Sequence, residues 1–167
     1  MPLKKLLIVA LLSFALVTGC GQKLPDGMPT LYPVTITVTQ DGSPLDDAVV
    51  MLSGTEQWIS TGRTDARGNA VLYTQGFYVG VPAGTFSVTV TKIAEEGERP
   101  PRRPFDPESA RIYAEYQRSG QTFRQFNTVP VRYREAETTP LTVEIQRGVR
   151  TVAVNIEGTV REEMRQR

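Results

Sequence analysis

Residues Val34-Thr35-Ile36-Thr37-Val38-Thr39 alternate, position by position, between an aliphatic side chain and a threonine. Successive residues of a β-strand point to opposite faces, so this stretch is a strand with one face in a core and the other in water. A helix would need apolar residues three and four apart, which the run does not supply. Directly after it, Gln40-Asp41-Gly42-Ser43-Pro44 supplies turn residues, and Asp41-Gly42 is a strong short signal for a hairpin.

The same pattern repeats outward from this strand. Strands are expected at 48–52, around 57–64 and at 70–74, the last two separated by Asp65-Ala66-Arg67-Gly68-Asn69, where Gly68 can adopt the positive φ of a tight turn. In 85–93, Phe86, Val88 and Val90 fall on one face and Ser87, Thr89 and Thr91 on the other. Two late strands, 141–145 and 152–156, flank a bend at Gly148. Seven short strands with little room for crossover helices predict an all-β fold, a seven-stranded antiparallel sandwich closing one core from two sheets.

Between strands five and six lies an insertion, 94–140, that the seven strands do not use. Its start, 95–104, is charged and rich in proline, hence expected as loop. Asp106 can accept the free N–H groups of a helix start and Pro107 suits the first turn, while Ala110, Tyr113, Ala114 and Gln117 follow at helical spacing. With Ser119-Gly120 as a stop, one helix is predicted over 107–118. Phe123, Phe126, Val129, Val131 and Tyr133 then suggest an extended segment packing back on the sandwich. The domain is expected to span 32–158, and the charged tail 159–167 to fray.

At the other end of the chain, Lys4 and Lys5 precede an apolar run of twelve residues, 6–17, broken only by Ser13. A spanning helix needs about 20 apolar residues, so 1–19 reads as a signal peptide removed by cleavage. Val17-Thr18-Gly19-Cys20 ends the run and resembles the bacterial lipobox: an aliphatic residue, two small residues, then the acceptor cysteine, here the only cysteine of the chain. The resemblance implies a diacylglycerol thioether on Cys20 and a further acyl chain on its amine. One fatty chain binds only marginally, but several make attachment effectively permanent. Lipoprotein sorting resembles a readout of the next residue, where aspartate favours the inner membrane; Gly21 stands there, so the outer membrane is the expected location of this exported protein. Residues 20–31 then form a lipidated tether, with 21–30 (GQKLPDGMPT) lacking an apolar period and reaching at most about 33 Å.

Three further pieces point to a family. They are Val38-Thr39-Gln40-Asp41-Gly42-Ser43-Pro44-Leu45-Asp46-Asp47-Ala48, Thr64-Asp65-Ala66-Arg67-Gly68-Asn69-Ala70, and Val81-Pro82-Ala83-Gly84-Thr85-Phe86-Ser87-Val88-Thr89-Val90. In order and spacing they resemble the carboxypeptidase regulatory-like and transthyretin-like domains, with patterns V-x-x-x-G-x-P-L-x-x-A, T-D-x-x-G and P-x-G-x-Y-x-V-x-V. Small exported lipoproteins with one such domain are also similar to this chain at Val129-Pro130 and Tyr133 and at Thr139-Pro140-Leu141-Thr142-Val143. The chain departs from the pattern in Phe86, where the family has tyrosine, and in its helical insertion. The resemblance implies an immunoglobulin-like or transthyretin-like seven-stranded sandwich that serves as an accessory or structural module.

Composition narrows the chemistry. Removing 19 residues from 167 leaves 148, one ordinary domain able to bury a core without disulfide or metal. The formal charge of +1 includes Lys4 and Lys5, so without them it is −1, which argues against a nucleic-acid partner. Arg99, Arg102 and Arg103 crowd together among Glu95, Glu96, Glu98 and Asp106, the pattern of a solvated loop. No histidine is present and the cysteine is committed to lipid, which removes Ser-His and Cys-His catalysis and the commonest zinc sites. The adjacent carboxylates Asp46-Asp47, Glu95-Glu96 and Glu162-Glu163 fall in expected turns or tails, and Asp41, Asp46 and Asp47 read as turn formers before calcium ligands. No catalytic residue, metal or cofactor is assigned. Trp58, Tyr73, Phe77 and Tyr78 are either core-edge aromatics or a surface for stacking a sugar. The expected function is a non-catalytic binding or structural module held to a membrane by its lipid, with another envelope protein as partner. The alternative is a carbohydrate-binding lipoprotein.

Overall fold

The threonine-alternating strand and its Asp-Gly turn form as the sequence dictates. In the computed structural model, which describes residues 23–54, 57–101 and 105–164, strand β2 (Thr35–Gln40) turns through Asp41 and Gly42 into β3 (Ser43–Pro44). Both turn residues have positive φ, 50° and 81°, the type I′ geometry that matches strand twist. Ile36 and Val38 are fully buried while Thr35, Thr37 and Thr39 are half-buried.

Before β2 stands a short β1 (Leu31–Tyr32), and after β3 come β4 (Val49–Ser53), β5 (Ser60–Arg63), β6 (Asn69–Val71), β7 (Tyr73–Thr74), β8 (Tyr78–Val79), β9 (Val81–Pro82), β10 (Gly84–Thr91) and β11 (Ile93–Gly97). Helix α1 (Pro107–Arg118), β12 (Phe123–Asn127), a 3₁₀ turn (Val131–Tyr133), β13 (Thr142–Ile145), β14 (Thr151–Ile156) and β15 (Glu162–Glu163) complete the described chain. The fold is therefore mostly β with one helix, consistent with an all-β sandwich. One sheet runs β13-β10-β4-β5-β7-β8; facing it, β14-β2-β3 carries β6 on β2 as well. Their inner faces meet through Val50, Leu52, Phe86, Val88, Val90, Val143 and Ile145 from the first sheet and Val34, Ile36, Val38, Val154 and Ile156 from the second. Each such side chain contributes roughly 1.5–3 kcal/mol when buried.

Several expectations need correction. The described residues form fifteen strand segments in several sheets, so the count of seven is not confirmed; short stretches such as β1, β8, β9 and β15 pair where a neighbouring edge has free backbone groups. The sandwich is not purely antiparallel: β14 runs parallel to β2, Thr151 beside Thr35 and Ile156 beside Gln40. Parallel neighbours need a long connection, and the whole domain between residues 40 and 151 provides it. The start of the insertion is not loop throughout, since β11 pairs antiparallel with β12 from Ile93 opposite Asn127 to Gly97 opposite Phe123. Nor does the C-terminal stretch simply fray. β15 joins β12, and the Arg161 guanidinium lies 4.0 Å from the Phe126 ring centroid.

Strand registers define two ends. Ile145 opposes Gly84, Thr151 opposes Thr35, and only 146–150 separate them, so the first residues of β2 and β10 share one end with the β1–β9 pair. β10 runs from there to Thr91, and β11 continues away from it. At that far end Gln40 Nε2 donates to the Thr128 and Gly158 carbonyls and Thr128 N–H donates to the Lys92 carbonyl, fastening the insertion to the sandwich.

Candidate functional site

The insertion builds a polar groove where β11 and β12 leave the sandwich. It has a volume of about 520 Å³ and is lined by Asp47, Val49, Arg63, Thr91, Ile93, Glu95, Arg99 and Gln125. Asp47, two residues before β4, pairs with Arg63 at the end of β5, and Glu95 pairs with Arg99. Glu95 also accepts from Gln125 Nε2 at 3.0 Å. The Gln125 bond first, and the Arg99 guanidinium with it, hold the Glu95 carboxyl below its ordinary range. Asp46 nearby is lowered in the same way by its hydrogen bond and charge contact with Lys92. Both carboxylates thus have partners that favour their charged form.

Beyond the groove, α1 is held at its start by Asp106, whose carboxylate accepts from the Glu108 and Ser109 N–H groups while the Ser109 hydroxyl reaches back. These bonds lower the Asp106 pKa, the Ser109 N–H foremost. Tyr116 Oη donates to the Glu98 carbonyl and ties the helix to the end of β11. No residue of α1 is buried, and Ile112 is 53% exposed, so the helix presents most of its surface outward.

The sequence-derived residues distribute as follows. Val17, Thr18, Gly19 and Cys20 lie outside the described residues. Trp58 is half-buried in a second groove, about 360 Å³, at the opposite end from the insertion, where it meets Phe86, Pro82 and Gly84 but also Gly27 and Pro29. The described part of the expected tether, from Lys23 on, packs in part on the domain, with Leu24, Met28 and Pro29 half-buried. Tyr73 and Val79 stand exposed on neighbouring strands, Tyr78 is half-buried, and Phe77 is 82% exposed at a hairpin tip; none of these four lines the Trp58 groove. Asp41, Asp46 and Asp47 face three separate partners: the Gly158 N–H, Lys92 and Arg63. Glu96 pairs with Arg161 and Glu162 with Arg134. Among the described residues no group of three or more acidic, His or Cys side chains could hold a metal ion.

Sequence reasoning missed the polar groove. Its signal was Glu95 and Gln125 thirty residues apart, invisible while 95–104 reads as loop. No protein-family model, no curated protein and no solved structure matches the chain.

Proposed function

We propose that this chain is an exported lipoprotein, acylated at Cys20, whose non-catalytic β domain offers its insertion to another protein of the bacterial envelope. The observation that carries this reading is polarity of layout: Gly27 and Pro29 lie at one end of the sandwich with Gly54, Pro82 and Gly84, and the groove and α1 stand at the other. A membrane-tethered adaptor needs that separation, because the partner-binding element must clear the bilayer. The Gly21 after the cysteine favours the outer membrane. Support for a transthyretin-like sandwich comes from overlap: the seven expected segments fall on β2, β4, β5, β6 with β7, β10, β13 and β14.

Cys20→Ser is the first test. The mature protein leaves the membrane fraction and its N-terminal peptide loses the lipid mass; retention of the variant with no lipid on the wild-type peptide overturns the anchor. For the partner, cross-linking in intact cells is compared between wild type and Ile112→Asp/Phe105→Asp, both exposed positions at the far end. One discrete adduct lost in the variant is expected, and an unchanged adduct pattern removes the insertion from the reading. A specific hit on a glycan array that Trp58→Ala abolishes would favour sugar binding instead.

A further inference from the structure

The end where the tether enters carries an exposed aromatic with no structural use. Gln75 and Gly76 take φ of 53° and 77°, the Phe77 N–H donates back to the Thr74 carbonyl, and the tight turn leaves Phe77 projecting at 82% exposure. Register places this tip at the tether end: Thr74 opposes Ser60 and Tyr78, Gln75 N–H bonds the Ile59 carbonyl, and Trp58 just beyond lines the groove with Gly84. Three residues after Phe77, Gly80 lies against Tyr32, so close that a Cβ on it would stand 2.8 Å from that residue's carbonyl oxygen. Arg147 and Arg150 sit in the exposed turn 146–150 at the same end, and among the described residues neither is in an ion pair. Among the described residues, Lys23 and Asp26 of the entering segment add one charge of each sign, and Glu144 on β13 opposes Thr85 beside the turn.

The stretch joining Cys20 to the domain is short. Cys20 precedes Lys23 by three residues, at most about 11 Å, and precedes Gly27, which lines the groove, by seven, at most about 25 Å. A domain held that closely cannot keep this end far from the headgroups. We propose that the tether end is a membrane-contact face: Phe77 enters the interfacial zone of an anionic bilayer while Arg147 and Arg150 meet its phosphates. Phe77 at one edge of the six-stranded sheet and the arginines after β13 at the other are spread across one end of the domain. An exposed aromatic on the same face as cationic side chains is the composition of interfacial contacts, where ring burial and charge attraction add. The inference rests on the acyl-anchor reading and goes beyond it, since an anchor on a loose tether would leave the domain free to tumble.

The test uses the full acylated protein, Phe77→Trp, reconstituted in phosphatidylethanolamine–phosphatidylglycerol vesicles with brominated acyl chains. Wild type, whose only tryptophan is Trp58, gives the background, and Ile112→Trp reports the far end. Emission from the indole introduced by Phe77→Trp is expected to shift to the blue and to be quenched at least twofold more than that of Ile112→Trp. Arg147→Glu/Arg150→Glu, or phosphatidylcholine vesicles in place of the anionic mixture, should halve the difference or more. Quenching equal at the two positions, with protein sedimenting with the vesicles, overturns the contact face and leaves the anchor intact. Failure to sediment, with no lipid mass on the N-terminal peptide, overturns the anchor itself. Protection of Phe77 by a second copy would show as a dimer in the vesicles without bromine quenching, and also overturns the proposal.

Discussion

Thr74→Val removes one oxygen from the centre of a buried relay. Ser60 and Thr74 are fully buried; their hydroxyl oxygens are 2.9 Å apart, and the Thr74 hydroxyl donates to the Gly80 carbonyl at 2.6 Å. Because Thr74 spends its proton on Gly80, it accepts from Ser60. Valine keeps the shape, strands the Ser60 hydroxyl and takes from the buried Gly80 carbonyl its side-chain donor. A buried polar group left unpaired costs about 1–3 kcal/mol, so the loss is expected at about 2–4 kcal/mol. Ser60→Ala breaks one neutral bond while Thr74 still serves Gly80, for about 0.5–1.5 kcal/mol. In the double variant only the Gly80 carbonyl lacks its partner, so its loss of about 1–3 kcal/mol falls below that of Thr74→Val alone. Urea unfolding of the four proteins measures the cycle; for a domain of this length Tm falls by about 3–5 °C per kcal/mol. Hydrogen exchange in Thr74→Val should quicken first at Leu31–Tyr32 and Tyr78–Pro82, since Gly80 clasps Tyr32. Two single losses that simply add, or a Thr74→Val loss under about 0.5 kcal/mol, would refute the relay.

Gly62→Ala is expected to destabilise by about 1–3 kcal/mol, because a Cβ there would stand 2.4 Å from the Val71 carbonyl oxygen, backbone that cannot yield; denaturant titration reads the change. Stability should be flat from about pH 6 to 8, since no histidine titrates. Below about pH 4 it should fall: Asp46, Asp65, Glu95 and Asp106 all have lowered pKa values, so their contribution is present above the unfolded carboxylate range and lost as acid protonates them in the fold. Thermal melts across pH check this, and a Tm that rises on acidification would contradict the sign.

What the sequence made legible was local. The Asp41-Gly42 hairpin, the Gly68 turn and both ends of α1 need only residues a few positions apart. Asp65 illustrates it, its carboxylate accepting from the Arg67 and Asn69 N–H groups of its own turn. Core faces were legible for the same reason, since alternation in β2 and β10 assigns Ile36, Val38, Val88 and Val90 without knowing their partners. Partner choice was not. Nothing near Thr151 says it lies beside Thr35, because parallel partners are joined only through a long connection and these two strands are separated by most of the domain. β11 hid for a different reason: Glu95 and Glu96 point to ion pairs with Arg99 and Arg161 rather than into a core, so the strand has no apolar face to announce it.

The same contrast bears on how the two ends can differ in role. Where the sandwich is closed by aliphatic alternation, the structure leaves little freedom for binding, and every strand residue facing inward is committed. The far sheet of β11, β12 and β15 has its backbone ladder and the buried Phe126. β15, however, is tied to it by two residue pairs and by side-chain contacts such as the exposed Glu96–Arg161 ion pair, worth about 0–1 kcal/mol and weakened by salt. Such an element opens locally at low cost. A partner that supplies apolar surface to α1 and polar groups that exchange with the Asp47–Arg63 and Glu95–Arg99 pairs of the groove can therefore rearrange the insertion without disturbing the core. Raised salt should loosen β15 before it touches β2 or β14, and hydrogen exchange at Asn127 and Met164 against Ile36 and Val154 would reveal that order.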